Sequence, residues 1–207
     1  MSKLKQMSYY PTIDIINFAG MNDTGYELKK EHKSIERKIE DIRKEYNFEA
    51  YIDACAKVGN IQYLKYMHEN GCKCDKWTCA RAAGTGQIEC LRYLHENGCE
   101  WDSDTCAYTA ENGQIECLRY LHENGCPWDN WTCAFAAMEG QIECLRYAHE
   151  NGCPWDKYTC EYAVTKGQIE CLRYAHENGC PWDDIDMIYL YGECAEYYDT
   201  HMKKMKR

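Results

Sequence analysis

The sequence predicts an all-α fold, a helix-turn-helix solenoid of 27-residue repeats closed at both ends by helical caps. Three observations predict it. GQIECLRYLHENGC at 86–99 returns almost unchanged at 113–126, 140–153 and 167–180. Gly71, Gly98, Gly125, Gly152 and Gly179 stand 27 residues apart, and periods of about 20–50 residues mark stacked-repeat architectures. Within each period a short alanine-rich stretch and an amphipathic stretch are separated by a glycine. Two helices that small cannot enclose a core alone, so each unit must bury its apolar face against the next.

The first helix of a unit is represented by WTCARAAG, short, rich in alanine and bounded by Gly86, which suits close packing on a neighbour. Asp75 and Thr78 are both N-cap candidates, and the Pro-Trp-Asp of later units marks the preceding turn. The second helix, QIECLRYLHEN, sets Ile88, Leu91 and Leu94 near one face and spaces Glu89, Arg92 and Glu96 for i,i+3 and i,i+4 pairing. Asn97-Gly98 ends it, with the glycine left-handed at C′.

These units run 72–98, 99–125, 126–152 and 153–179. A degenerate unit at 45–71 keeps Gly59, Asn60, Ile61 and Leu64 in register, and a terminal cap at 180–200 has Cys194 where the spacing puts a mid-unit glycine. The solenoid therefore spans 45–200, between a charged segment at 1–44 and a basic tail at 201–207. LKKEHKSIERKIEDIRKEY at 28–46 lines up Leu28, Ile35, Ile39, Ile42 and Tyr46, which fits a cap helix on the first unit or a short coiled coil. Met187, Leu190, Tyr191 and Cys194 fit the opposite cap.

GQIECLRYLHENGC resembles the second helix and exit turn of the ankyrin repeat, G-H-x-x-V-V-x-x-L-L-x-x-G-A, with Gly86, Gln87, Cys90, Leu91, Leu94, Gly98 and Cys99 at matching positions. Cys79 and Ala82-Ala83 fall where that family has the leucine and paired alanines of T-P-L-H-x-A-A. The resemblance covers about 45–195 and implies an ankyrin-type solenoid. Its units usually run about 33 residues; here six are missing between Asp102 and Thr105, and T-P is absent, so the helix pair is implied and the protruding hairpin finger is not. The N-G-C-P-W-D signature further resembles short ankyrin repeats of large DNA viruses of amoebae, which implies a host-cell protein as partner.

Composition narrows the function classes. The chain is 45% hydrophobic with a net charge of −10, and no stretch reaches the roughly 18 apolar residues of a membrane span. The N-terminus lacks an apolar run with a cleavage site, so the expectation is an intracellular, cytoplasmic protein, in the host cytoplasm if viral. The basic and acidic side chains of the first fifty residues balance and the tail is basic, so the acidity lies in the repeats. That is a poor match for nucleic acid or anionic lipid, and the expected partner is another protein, bound by a monomer.

Catalytic and metal readings weaken on inspection. The triplet Cys79, Cys90 and Cys99 occupies positions that are leucine, valine and alanine in ankyrin repeats, and free cysteine behaves as a small buried hydrophobe. No C-x2-C pair exists. A Cys-rich metal-binding or thiol redox protein is the alternative function. His68, His95, His122, His149 and His176 lack the second histidine of H-E-x-x-H and suit a helix end. Trp101, Trp128, Trp155 and Trp182 suit packing between units, since 27 residues are too few for a propeller blade of about 40–45. With no phosphate loop or nucleophile elbow, the expectation is a non-enzyme without cofactors. KKMKR fits a nuclear signal or a solvated terminus.

Specificity belongs where the units differ. The varying positions are Lys76, Trp77 and Arg81; Ser103, Asp104 and Tyr108; Asn130, Trp131 and Phe135; Lys157, Tyr158 and Tyr162. The pairs Gly84-Thr85, Glu111-Asn112, Met138-Glu139 and Thr165-Lys166 vary as well. In ankyrin proteins the loop and inner helix face bind partners, and aromatics and arginine are frequent interface anchors. The first twelve of these, Lys76 to Tyr162 without the four pairs, are the expected partner-binding set.

Overall fold

The structure, a computed structural model, describes residues 49–69, 71–182 and 192–205. Over these residues it has eleven α-helices and no strand. Five helix pairs follow one another: α1 (Glu49–Val58) and α2 (Ile61–Glu69), α3 (Lys76–Gly84) and α4 (Ile88–Glu96), α5 (Ser103–Glu111) and α6 (Ile115–Glu123), α7 (Asn130–Met138) and α8 (Ile142–Glu150), α9 (Lys157–Thr165) and α10 (Ile169–Glu177). The last helix is α11 (Gly192–Met205). The segment 1–44, the stripe at 28–46, and Met187, Leu190 and Tyr191 lie outside the described residues. No described helix is long and apolar enough to cross a membrane.

Local chemistry sets the boundaries. Asp75 is the N-cap of α3: its carboxylate accepts from the Trp77 N–H at 2.9 Å and the Thr78 N–H at 3.0 Å. The Thr78 hydroxyl in turn accepts from the Asp75 N–H at 3.2 Å, a reciprocal capping box that gives each N-cap candidate its own place. Helix ends are closed by glycine. After α4, Gly98 has φ +79°; its N–H donates to the His95 carbonyl and that of Cys99 to the Leu94 carbonyl, both at 3.0 Å, the bond pattern of a Schellman motif. Gly86 ends α3 the same way and is needed twice over, because a Cβ there would lie 2.4 Å from Gln114 Oε1 of the following unit.

The core is continuous from unit to unit. Ala82, Ala83, Leu91 and Leu94 are fully buried, as are Thr78, Thr105, Thr132 and Thr159 at the start of the first helices. First helices of neighbouring units pack along one closely spaced row, and second helices touch one another far less. The small side chains of the first helices account for this, since alanine lets backbones approach where Tyr and Arg on the second helices hold them apart.

The C-terminal end departs from the 27-residue spacing. His149 is hydrogen bonded to the hydroxyl of Tyr174, 25 residues on, but His176 to that of Tyr197, only 21 on. The connection into α11 is thus four residues shorter. Glu193-Cys194 consequently stands as the counterpart of Glu170-Cys171, with Cys194 buried, and not at a mid-unit glycine. The tyrosine-histidine bond sets the register that spacing alone misassigns.

Candidate partner-binding surface

The invariant side chains of the second helices form joints between units. His95 stacks on Trp101 with centroids 4.0 Å apart, its Nδ1 is hydrogen bonded to the Tyr120 hydroxyl of the next unit at 2.9 Å, and Trp101 meets the Tyr120 ring edge-on. Arg92 covers the same ring at 4.7 Å. The arrangement recurs at His122, Trp128 and Tyr147, at His149, Trp155 and Tyr174, and at His176, Trp182 and Tyr197. At the first joint Lys65 replaces the arginine over Tyr93 and Cys74 stands in the tryptophan's position. These tryptophans pack between units, and the histidines lie in the last turn of their helices, with tyrosine as a partner that helix-end reasoning does not supply.

Fifteen of the sixteen thiols are buried, and Cys74 is half-buried. Cys99, Cys126, Cys153 and Cys180 donate to the carbonyls of Asp75, Asp102, Asp129 and Asp156 at 3.1–3.3 Å. Each also lies against the first-helix thiol twenty residues before it: Cys79 with Cys99, Cys106 with Cys126, Cys133 with Cys153 and Cys160 with Cys180. A comparison of equivalent positions misses these pairs, because their members occupy different places in the unit. Burial pushes Cys90 and Cys117 up to about 11 and Cys144 and Cys171 up to about 12. Metal ligation and thiol exchange both need a thiolate, which these surroundings disfavour. Among the described residues no group of three or more His, Cys, Asp or Glu could hold a metal ion.

The variable positions fall on the first helices and their N-termini. Trp77 is 51% exposed, and Tyr108, Trp131 and Tyr158 each 37%; with Val58 they are the exposed large apolar side chains among the described residues. Arg81, Phe135 and Tyr162 are half-buried. Across α7 and α9 the rings join: Trp131 stacks on Tyr158 at 5.7 Å, meets Phe135 at 5.5 Å and Tyr162 at 6.3 Å. Tyr108 lies back over α3, where a Cβ on Gly84 would meet its ring at 2.4 Å.

Part of the variable set is engaged within the chain. Lys76 donates to Asp102 and Asn130 to Asp156, both at 2.6 Å, tying the start of one first helix to the N-cap of the next. Arg81 pairs with Asp53 at 3.0 Å. Exposed Asp104 lies 3.6 Å from Lys76, Lys157 sits 5.6 Å over Tyr158, and Ser103 is half-buried. The geometry adds Gly84, Glu111 and Glu139 to this face. Glu111 is raised above the ordinary carboxylate range by burial and then by the nearby Glu139 charge. Variation among the pairs before the mid-unit glycine was the signal for these three.

No protein-family model and no curated protein sequence matches the chain. Among solved structures, the crystal structure of the human ASB11 ankyrin repeat domain is similar over 63% of this chain and 69% of that one, with a TM-score of 0.53 at 17% identity. The helix pairs, their glycine turns and this likeness together make the fold an all-α ankyrin-type solenoid.

Proposed function

We propose that the chain is a non-catalytic scaffold that binds another protein through the variable face of its first helices. The observation that carries this reading is the row of exposed aromatic side chains, Trp77, Tyr108, Trp131 and Tyr158, on consecutive first helices. Exposed rings cost hydration free energy in the free protein, and rings in rows are typical binding anchors. Lys76, Arg81 and Asn130 frame the anchors and hold the units that carry them. Ser103, Asp104, Phe135, Lys157 and Tyr162 complete the set and supply specificity. Resemblance of the N-G-C-P-W-D turn to viral short repeats points to a protein of an amoebal host as partner.

The test is affinity capture from amoebal cytosol by the wild-type chain and by a Trp77→Ala, Tyr108→Ala, Trp131→Ala, Tyr158→Ala variant of unchanged helicity. A protein kept by the wild type and lost by the variant supports the reading. Equal retention by both sinks it for this face.

A further inference from the structure

The face of the first helices changes character along the chain. At its two ends the protein's own cations cover the rings: Lys76 Nζ lies 5.2 Å from the Trp77 centroid and Lys157 Nζ 5.6 Å from that of Tyr158. Between them, α5 and α7 contain no basic residue, and among the described residues no cation stands over Tyr108, Trp131 or Phe135. Acidic side chains occur on and at the ends of the same two helices. Asp104 is exposed and already faces Lys76 at 3.6 Å, but neither Glu111 nor Glu139 has an ion-pair partner among the described residues. Glu111 ends the helix that carries Tyr108, and Glu139 caps the helix that carries Trp131 and Phe135. Two carboxylates close enough to influence each other and without a counter-charge thus share these helices with rings whose faces attract cations.

Resting on the protein-binding reading above, we propose that the middle of this face, formed by Asp104, Tyr108, Glu111, Trp131, Phe135 and Glu139, receives an extended partner segment presenting arginine or lysine at every third residue. The spacing follows from the repeat. Packed helices lie about 8–10 Å apart, and an extended chain rises about 3.2–3.4 Å per residue, so three residues advance one unit. Arginine suits the site best, since its planar fork pairs with a carboxylate and stacks on a ring together. Lys76 and Lys157 repel a basic segment that slides toward either end, and so confine it to the two middle units.

The experiment selects random linear peptides on the full chain by phage display. Selected peptides are then titrated against wild type, the Glu111→Gln, Glu139→Gln double variant and Trp131→Ala, each checked for native helicity. The expected result is enrichment of arginine or lysine three residues apart, with affinity falling about tenfold in the double variant and weakening as salt is added. Peptides without basic residues that ignore the double variant yet fail on Trp131→Ala overturn the cationic segment and leave the protein-binding face standing. Peptides indifferent to both variants overturn both readings, and failure to select any peptide overturns the linear segment.

Discussion

The imidazole of His149 lies flat on the indole of Trp155, ring centroids 3.7 Å apart and planes 11° from parallel. The same imidazole is hydrogen bonded to Tyr174 in the next unit, so the joint couples two units through one ring. Trp155→Ala should cost about 2–3 kcal/mol, the stack and the edge contact with Tyr174 being lost together. Tyr174→Phe should cost about 1 kcal/mol. A cycle pairing it with His149→Ala, read by urea unfolding, should give a coupling of about 0.5–1 kcal/mol; strict additivity would show the bond to be inert.

At the C-terminal joint the prediction is a pH dependence. Burial, and then the charge of His201, lowers His176 from its ordinary value of 6.5. A depressed histidine favours the fold in its neutral form, so its contribution is full above about 6.5 and is lost as pH falls through the lower folded value. Amide exchange, corrected for its intrinsic pH dependence, should therefore loosen α10 and α11 on acidification before the middle helices change. His201→Gln should lessen the effect. An acid response identical in the variant would remove His201 as a cause.

Glu111 carries the opposite sign. Raised by burial and by Glu139, its protonated form is favoured in the fold, and stability is lost as pH rises from the ordinary 4.5 through the raised value. Glu111→Gln should accordingly raise the melting temperature by about 1–2 °C at neutral pH, where solvent screening keeps the effect small. The gain should fade below about pH 4.5, and a gain equally large in acid would assign it to packing.

Gly84→Ala separates folding from recognition. Alanine is the better helix former by about 0.5–1 kcal/mol, and its Cβ would displace the Tyr108 ring, which can swing into solvent. Unchanged or slightly higher thermal stability, with weaker partner capture, is the expected pair of results. A large loss of stability would mean the ring is held more firmly than its exposure indicates.

Alkylation tests the thiol chemistry. Fifteen of the sixteen cysteines are buried, and Cys74 is partly exposed with its thiol pushed up to about 12 by burial and by Cys99. Iodoacetamide at neutral pH should modify the native protein slowly and at Cys74 first, with the others reacting only after denaturation. Rapid native labelling of several sites would revive the thiol redox reading.

Most of the helix pattern was legible from spacing. Repeated glycines and the apolar positions Ile88, Leu91 and Leu94 placed both helices of each unit, because a stacked array must present the same apolar face each time. What spacing missed involves unlike positions. Cys79 meets Cys99, and Gly84 meets Tyr108, through contacts between different places in the unit. Lys76 and Asn130 differ in sequence yet both bind the next unit's aspartate, so variation there mixes joint with surface. A fixed period also could not register the short connection to α11. That required the Tyr197 hydroxyl.

The shortened final connection bears on how such an array lengthens over generations. Tyr197 closes the last joint 21 residues after His176, where the inner joints span 25, and Cys74 replaces tryptophan at the first. A copied 27-residue segment placed after α11 would find Asp199 where a regular joint has its histidine, since Tyr197 is the counterpart of Tyr174. The same segment inserted between α6 and α7 would find on each side the neighbours it already had. Growth is thus easiest from within, leaving both ends as they are while the central face gains new positions to diversify.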